Sequence, residues 1–529
     1  MIPTLSTRLV WGLVAFATGL VVIGVAALLL LLRAGRRQPD EDVARRLLRN
    51  SALPLLIQFL VRGIDLAFAY VLYRFVTQAA MGEYDLAALL VSLYLATISE
   101  WGLGTLLTRE VARDPPAIRH TFGTALLLRL GLSVAALPIA LLVIGGYQGL
   151  HNTGVIPYAI STRGAVLIGI LALTLVPGAV GAAVTSVFLA MERPVVPALA
   201  NLLNNVVSTA LRLLALLLGF GVVGVAWAAL AATVLNGVVF TWLLRRHFGW
   251  PGWEWDGSLA RYMLQAAFPL MLNSLLVVVF FRFDAFIVEG AHGPQAVANY
   301  GAAYRVAQLA LIVPPIVVNA LFPRFARQAR DDRQGLLRGY ELTVRVLLLG
   351  ALPLAAVVSV SAPRLVAIFA GEEYSAAGGA ALALLIWFVP LSYVNGIAQY
   401  VLIALDRQGA ITRAFAATAA FNLAANLLLV PQWGIRAAAI TTVISELVLY
   451  LPFRRVLHAE LGAAPLWPVL WRPALATLFM AAVMVPLREQ PALAASMGLG
   501  LYGVSLWALG TFSADDRLLM RRLLGRGSR

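Results

Sequence analysis

Apolar residues along this chain come in long unbroken runs of about 20–28 positions, each closed by a short polar break. Wound as a helix at about 1.5 Å per residue, such a run matches the roughly 30 Å hydrocarbon core of a bilayer. Their continuous hydrophobicity argues against an outer-membrane barrel, whose strands alternate over roughly 10 residues. The pattern predicts an all-α polytopic membrane protein. A first run covers 9–32, and 14 more follow, at 51–76, 84–107, 121–146, 164–190, 195–219, 222–244, 262–288, 297–322, 341–369, 377–404, 411–430, 433–453, 467–487 and 492–512. That makes about 15 transmembrane helices.

The polar breaks alternate in charge. Those holding Arg109/Arg113/Arg119, Arg193, Arg245/Arg246/Arg261, Arg324–Arg338, Arg407/Arg413 and Arg454/Arg455 are basic, as is the tail from Arg517. The intervening breaks at 77–83, 147–162, 219–221, 289–296 and 370–376 carry almost no Arg or Lys. Basic loops stay on the cytoplasmic side, which predicts a multi-pass protein of the plasma (inner) membrane with a cytoplasmic C-terminus. Only Arg8 precedes the first run, whereas Arg33, Arg36 and Arg37 follow it. A signal peptide would have a charged start, a shorter core and a cleavage site. The first run is therefore read as an uncleaved helix with its N-terminus outside.

Composition narrows the class. Of 529 residues, 61% are hydrophobic and 12% charged, against roughly one-half and one-quarter in soluble domains. The net charge of +15 follows from the basic cytoplasmic loops and does not call for a nucleic-acid partner. There is no Cys, which excludes disulfides and thiolate chemistry, and the five His are scattered without a metal-ligand spacing. No Walker A sequence, nucleophile elbow or catalytically spaced carboxylate pair occurs, so no catalytic residues are assigned and no enzyme is expected. Energy would come from an ion gradient or the membrane potential.

The chain repeats itself. Gly82-Glu-Tyr84 corresponds to Asn299-Tyr300, Arg109-Glu-Val-Ala-Arg113 to Arg324-Phe-Ala-Arg327, and Leu189-Ala-Met-Glu192-Arg193 to Ala404-Leu-Asp406-Arg407. Gly224-Val-Ala-Trp corresponds to Gly434-Ile-Arg-Ala, and Arg245-Arg246 to Arg454-Arg455. Five pairs in one order, with an offset drifting only from about 216 to 209 residues, indicate an internal duplication. Six spans per half give both halves one orientation, a parallel repeat with the expected substrate site between halves. The predicted organisation is an extra N-terminal helix and basic linker (1–49), a first six-helix lobe (50–247), a second (258–457), and a C-terminal helix pair with a basic tail (458–529).

These residues, with Glu100-Trp-Gly-Leu-Gly, Asp284-Ala-Phe-Ile-Val-Glu-Gly and Asn299-Tyr300-Gly-Ala-Ala-Tyr304-Arg305, resemble the oligosaccharide flippases of the multidrug/oligosaccharidyl-lipid/polysaccharide (MOP) exporter superfamily. The resemblance covers about residues 50–455. It implies two six-helix lobes around a cavity that opens alternately to each side. It also implies a polyprenyl-diphosphate-linked oligosaccharide as cargo for cell-surface polysaccharide synthesis, with a glycan polymerase or glycosyltransferases as partners of a monomer in contact with membrane lipids. The final helix pair is similar to that of the lipid II flippase branch, which keeps peptidoglycan synthesis as a rival. A multidrug or cation antiporter of the same fold would favour an acidic cavity, whereas Arg outnumbers Asp and Glu at depth here.

Charges at membrane depth cost at least about 2.5–3.5 kcal/mol each and tend to be kept for a pathway or a partner. Arg62 and Asp65 fall near mid-membrane, and Arg282, Asp284 and Arg305 in the outer half. Glu446 falls mid-span, Arg129 nearer the cytoplasm, and Arg74 and Arg212 nearer the outside. A diphosphate needs matched charge, and Arg binds phosphate oxygens with a planar fork. Arg62, Arg282 and Arg305 are therefore the candidate diphosphate ligands, with Gln58, Asn273, Gln308, Asn319, Asn395 and Gln399 offering polar surface to sugars. Asp65, Asp284 and Glu446 are candidates for a coupled Na⁺ or H⁺, and Glu100 for a cavity or gate contact. Arg109, Arg113 and Arg324 are candidates for a cytoplasmic gate. Other readings stand beside these. Arg62 and Asp65, three apart on a helix, would neutralise one another; Asp284 would serve a salt bridge that holds one state; and Arg74 and Arg212 would snorkel to the interface.

Overall fold

The computed structural model describes residues 7–34, 43–114, 116, 118–249, 254–462 and 466–511. Residues 35–42 of the expected basic linker (33–49) and the whole basic tail (512–529) lie outside the described residues. Among the described residues there is no strand. Twelve stretches are long and apolar enough to cross a membrane, against the 15 or so expected. Two of these, Gly257–Val318 and Gln408–Leu461, have 62 and 54 residues and are too long for one crossing. Each contains a glycine with a positive φ, Gly293 (77°) and Gly434 (61°), where the helix breaks.

The helices in order are α1 (Thr7–Ala34), α2 (Val43–Phe75), α3 (Gln78–Leu89), α4 (Ala96–Glu100), α5 (Leu103–Arg113), α6 (Ile118–Asn152), α7 (Thr162–Leu173), α8 (Leu175–Ala190), α9 (Val195–Leu217), α10 (Gly221–Phe248) and α11 (Gly257–Arg282). There follow α12 (Asp284–Ala310), α13 (Val313–Asp331), α14 (Arg333–Ala370), α15 (Ser375–Leu385), α16 (Phe388–Ala404), α17 (Gln408–Leu461), α18 (Leu466–Met484) and α19 (Pro491–Ala508). The chain divides into two compact units, Met1–Arg282 with Glu289–Ala298, and Phe283–Val288 with Asn299–Arg529.

In the first unit α9 is the central helix, packed against α1, α2 and α10. Leu20 and Ala27 of α1 are buried in the same apolar cluster as Val206 of α9 and Phe188 of α8. The extra N-terminal helix thus has a packed face. α11 also belongs to this unit, although the repeat assigns it to the second lobe. It packs on α4, α5 and α6, and two long side chains tie it there: Trp101 Nε1 donates to Leu264 O at 3.1 Å and Tyr94 OH to Val278 O at 3.4 Å. The line drawn by packing therefore falls at Arg282, where the repeat draws it between 247 and 258.

In the second unit α14 is central, packed against α15, α16 and α18. The C-terminal pair α18–α19 closes a small core of Ala476, Met480, Met484, Ala494, Tyr502 and Leu506, against which Leu349, Val357 and Val360 pack. Tyr502 OH donates to Leu349 O at 2.9 Å.

The duplication is visible in the backbone. Glu192 and Asp406 are both left-handed, with φ of 56° and 59°. Each follows a helix whose end it closes identically: Arg193 N donates to Phe188 O and Arg407 N to Leu402 O, both at 2.9 Å. Glu192 N reaches Leu189 O at 3.1 Å and Asp406 N reaches Ile403 O at 3.0 Å. This pair of bonds is the Schellman arrangement that ends many helices.

Candidate functional site

The first unit holds a cavity of about 820 Å³ whose mainly apolar wall carries Glu100, Thr108, Arg109, Arg129, Ser186 and Asn236 among its polar residues. Its walls come from α4, α5, α6, α8, α9 and α10. Gly178, Gly181 and Ala182 keep one wall free of bulk. A smaller space of about 350 Å³ shares Glu100, Arg129, Gly178 and Ala182. The chain turns sharply beside it, because Trp101 (φ 51°) and Gly102 (φ 73°) are both left-handed and separate α4 from α5. Glu100 sits at that break, and its Oε1 accepts from Arg129 Nη2 at 3.4 Å.

The same unit carries a charged cluster where the breaks at 77–83, 147–162 and 289–296 come together. Glu83 accepts from Ser161 Oγ at 2.7 Å and pairs with Arg163. Tyr158 N donates to Gly290 O at 3.2 Å. Gly82 lies so close to Pro294 that a Cβ there would overlap the Pro294 carbonyl. Alongside, Asp85 accepts from Tyr73 OH at 2.6 Å in the interior.

In the second unit the buried acids are held by a hydrogen-bonded network. Asp284 Oδ1 accepts from Ala285 N at 2.8 Å at the start of α12, while Oδ2 accepts from Tyr300 OH and lies 3.5 Å from Thr442 Oγ1. One turn further along α17, Ser445 Oγ accepts from Asn422 Nδ2 at 2.9 Å. Glu446 Oε2 accepts from Asn395 Nδ2 at 2.6 Å. Glu446 Oε1, Asn395 Oδ1 and Asn426 Oδ1 are buried without a hydrogen-bond partner among the described residues.

The residues singled out by sequence distribute as follows. Arg62, Asp65, Glu100, Arg109, Arg113 and Arg282 lie in the first unit, and Asp284, Arg305, Arg324 and Glu446 in the second. Asp65 accepts from Asn205 Nδ2 at 2.9 Å, so its partner is on α9 and not the exposed Arg62 on its own helix. Arg109 is exposed and bonded to Glu110 at 2.9 Å and Tyr262 OH at 3.4 Å. Arg113 is exposed too and lies 4.0 Å from Glu110. Arg324 lines a separate space of about 350 Å³ with Gln328, Asp332 and Arg338. Asn395, expected to face sugars, serves Glu446 instead. The Asn319 side chain lies outside the described residues. Arg212 stacks on Phe68 at 4.8 Å and Arg74 on Tyr70 at 4.7 Å, both cation–π contacts. Sequence reasoning missed Glu83, Tyr300, Asn422 and Thr442, and gave Arg129 a depth without a role. Among the described residues no three His, Cys, Asp or Glu side chains gather as a metal site.

Apolar crossing helices in two units, with several of their deep charges bonded or lining cavities, define a multi-pass helical membrane protein. The fold is that of the MOP superfamily. It matches the lipid II flippase MurJ in an inward closed conformation with a TM-score of 0.71, at 12% identity, over 86% of this chain and 98% of that one. It also matches an inward-facing multidrug resistance MATE family transporter with a TM-score of 0.57, at 17% identity, over 75% and 96%. Residues 47–328, 282 of 529, match the family described as polysaccharide biosynthesis protein, and the chain belongs to that family. A putative O-antigen transporter of Shigella dysenteriae is 25% identical over 190 residues, 36% of this chain and 47% of the relative. The match thus spans about half the length of that curated relative.

Proposed function

We propose that the protein is a flippase that moves a polyprenyl-diphosphate-linked oligosaccharide across the plasma membrane by alternating access, supplying cell-surface polysaccharide synthesis. The observation that carries this reading is membership of the polysaccharide biosynthesis family combined with arginines at membrane depth, Arg62, Arg282 and Arg305, on an otherwise apolar scaffold. The partial likeness to a putative O-antigen transporter supports the same cargo class. The arginines match the diphosphate charge while the lipid tail stays in the bilayer. The two lobes of the cycle are the halves of the repeat, 50–247 and 258–457, with basic loops and C-terminus in the cytoplasm and the N-terminus outside. Arg109, Arg113 and Arg324 act at the cytoplasmic gate, and the protein works as a monomer beside a glycan polymerase or glycosyltransferases.

A second reading is a lipid II flippase. The C-terminal pair α18–α19, packed on α14, favours it, as does the length of the match to MurJ. Mass spectrometry of lipids that co-purify with the protein separates the two. A polyprenyl diphosphate bearing a sugar chain without peptide is expected; a muropeptide on the carrier gives the second reading, and no polyprenyl diphosphate at all contradicts both.

Coupling to Na⁺ or H⁺ through Asp284 and Glu446 completes the proposal. The buried Glu446 carboxylate can take a proton, and the buried oxygens of Glu446, Asn395 and Asn426 that lack hydrogen-bond partners among the described residues are suited to a small cation. Transport into vesicles should depend on an imposed Na⁺ or pH gradient in the wild type and lose that dependence in Asp284→Asn and Glu446→Gln. Gradient dependence unchanged in both variants would rule these acids out.

A further inference from the structure

We propose that the cavity inside the first unit is a binding site for a phosphate-type oxyanion, with Arg129 as its ligand. Arg129 lies on α6 with only 2% of its side chain exposed. Its Nη2 reaches Glu100 Oε1 at a long 3.4 Å, and its Nε and Nη1 have no hydrogen-bond partner among the described residues. A guanidinium removed from water is stable only when its donors are used, and one loose contact uses one donor of five. Once Glu100 turns away, the Nε–Nη2 edge can bind two oxygens of one anion side by side, with Nη1 still free to donate.

The surroundings are shaped for a ligand. Arg129 lines both the 820 Å³ cavity and the adjoining 350 Å³ space; ligand sites typically fall at about 300–1,000 Å³. Gly104 faces the ion pair, and a Cβ there would fall 2.7 Å from Glu100 Oε1 and 2.8 Å from Arg129 Nη2. The glycine thus keeps open the space in front of the guanidinium. Glu100 is the anion that a ligand would displace, and with 55% of its side chain exposed it can turn away into water. From Gly104 the cavity runs along α5 to Arg109 and Ala112, about 12 Å at the helical rise. That length leaves room for a polar body, such as a sugar or glycerol, behind the phosphate. None of Arg62, Arg282 and Arg305 lines this space, so the site is separate from the proposed cargo arginines and does not rest on that reading.

The phosphate could belong to a soluble molecule or to a lipid headgroup, and two probes distinguish them. Full-length protein purified in an uncharged detergent is titrated with inorganic diphosphate by calorimetry. The same protein in phosphatidylcholine nanodiscs doped with phosphatidic acid is assayed for retained lipid by native mass spectrometry. Wild type is expected to bind at least one probe: diphosphate if the source is soluble, phosphatidic acid alone if it is a headgroup. Arg129→Gln should lose that binding, and Gly104→Ala should weaken it roughly tenfold or more with every charge in place. Glu100→Gln, which removes the competing carboxylate, should bind tighter, a result that a merely structural ion pair would not give. Because the proposed cargo arginines would also take diphosphate, the titrations are repeated in an Arg62→Ala/Arg305→Ala background, where the probe should still bind and Arg129→Gln should abolish that binding; loss of all binding in that background before Arg129 is changed overturns the proposal. Failure of wild type to bind either probe overturns the proposal, and so does wild-type affinity in both Gly104→Ala and Glu100→Gln.

Discussion

A carboxylate at membrane depth costs several kcal/mol unless donors replace the water it has lost. Asp284 has such donors in Ala285 N, Tyr300 OH and Thr442 Oγ1, all within the second unit. Asp65 has Asn205. At the polar edge, Asp256 precedes α11 and is held down to about 2, first by the Ser258 hydroxyl and then by the Leu259 and Ser258 N–H groups. The unfolded chain titrates near 3.9. A lowered acid contributes stability that is complete above the unfolded value and disappears as pH falls through the folded one. The thermal midpoint should therefore fall between about pH 4 and pH 2 in the wild type, and less steeply in Asp256→Ala; parallel curves would contradict the cap. The chemical identity of the deep charges was legible in the sequence, but their partners were not. Asp65 and Arg62 are one turn apart, yet an asparagine 140 positions away supplies the bond. Arg129 was equally illegible, because its partner Glu100 lies on another helix and its cavity is made by glycines whose packing role has no local signal.

At the scale of elements, the two closing turns at Glu192 and Asp406 are the sharpest trace of the duplication. A left-handed L-residue costs about 1–2 kcal/mol, and a β-branched one more. Valine at Glu192 or Asp406 should lower the thermal midpoint in detergent by the equivalent of about 1–2 kcal/mol at both sites alike, while glycine should be neutral or slightly stabilising. Valine tolerated at either turn would mean that the two turns differ. The motif Glu192-Arg193 against Asp406-Arg407 made this pairing readable beforehand, since turn geometry is dictated within a few residues. The placement of α11 was not readable. Its membership of the first unit rests on Trp101 and Tyr94 reaching Leu264 and Val278, contacts separated by 163 and 184 positions. Helix ends behaved similarly: apolar runs locate a span and the break at Gly293 falls in the polar stretch 289–296, whereas the break at Trp101–Gly102 cuts within what reads as continuous hydrophobicity.

For the whole molecule, membrane class follows from the length of the apolar runs and the alternation of loop charge, which lipid imposes on every span, whereas the superfamily is read from the short motifs that the two halves share with the flippases. Which cargo it carries depends instead on a handful of charged and polar side chains. The central claim is that deep arginines hold a diphosphate during translocation. Vesicles containing the purified protein and a fluorescent polyprenyl-diphosphate oligosaccharide test it most directly, with accessibility to an added quencher reporting the leaflet. Wild type should equilibrate the lipid between leaflets, while Arg62→Ala and Arg305→Ala, folded and inserted to the same extent, should leave it where it began. Full translocation by both variants would contradict the account.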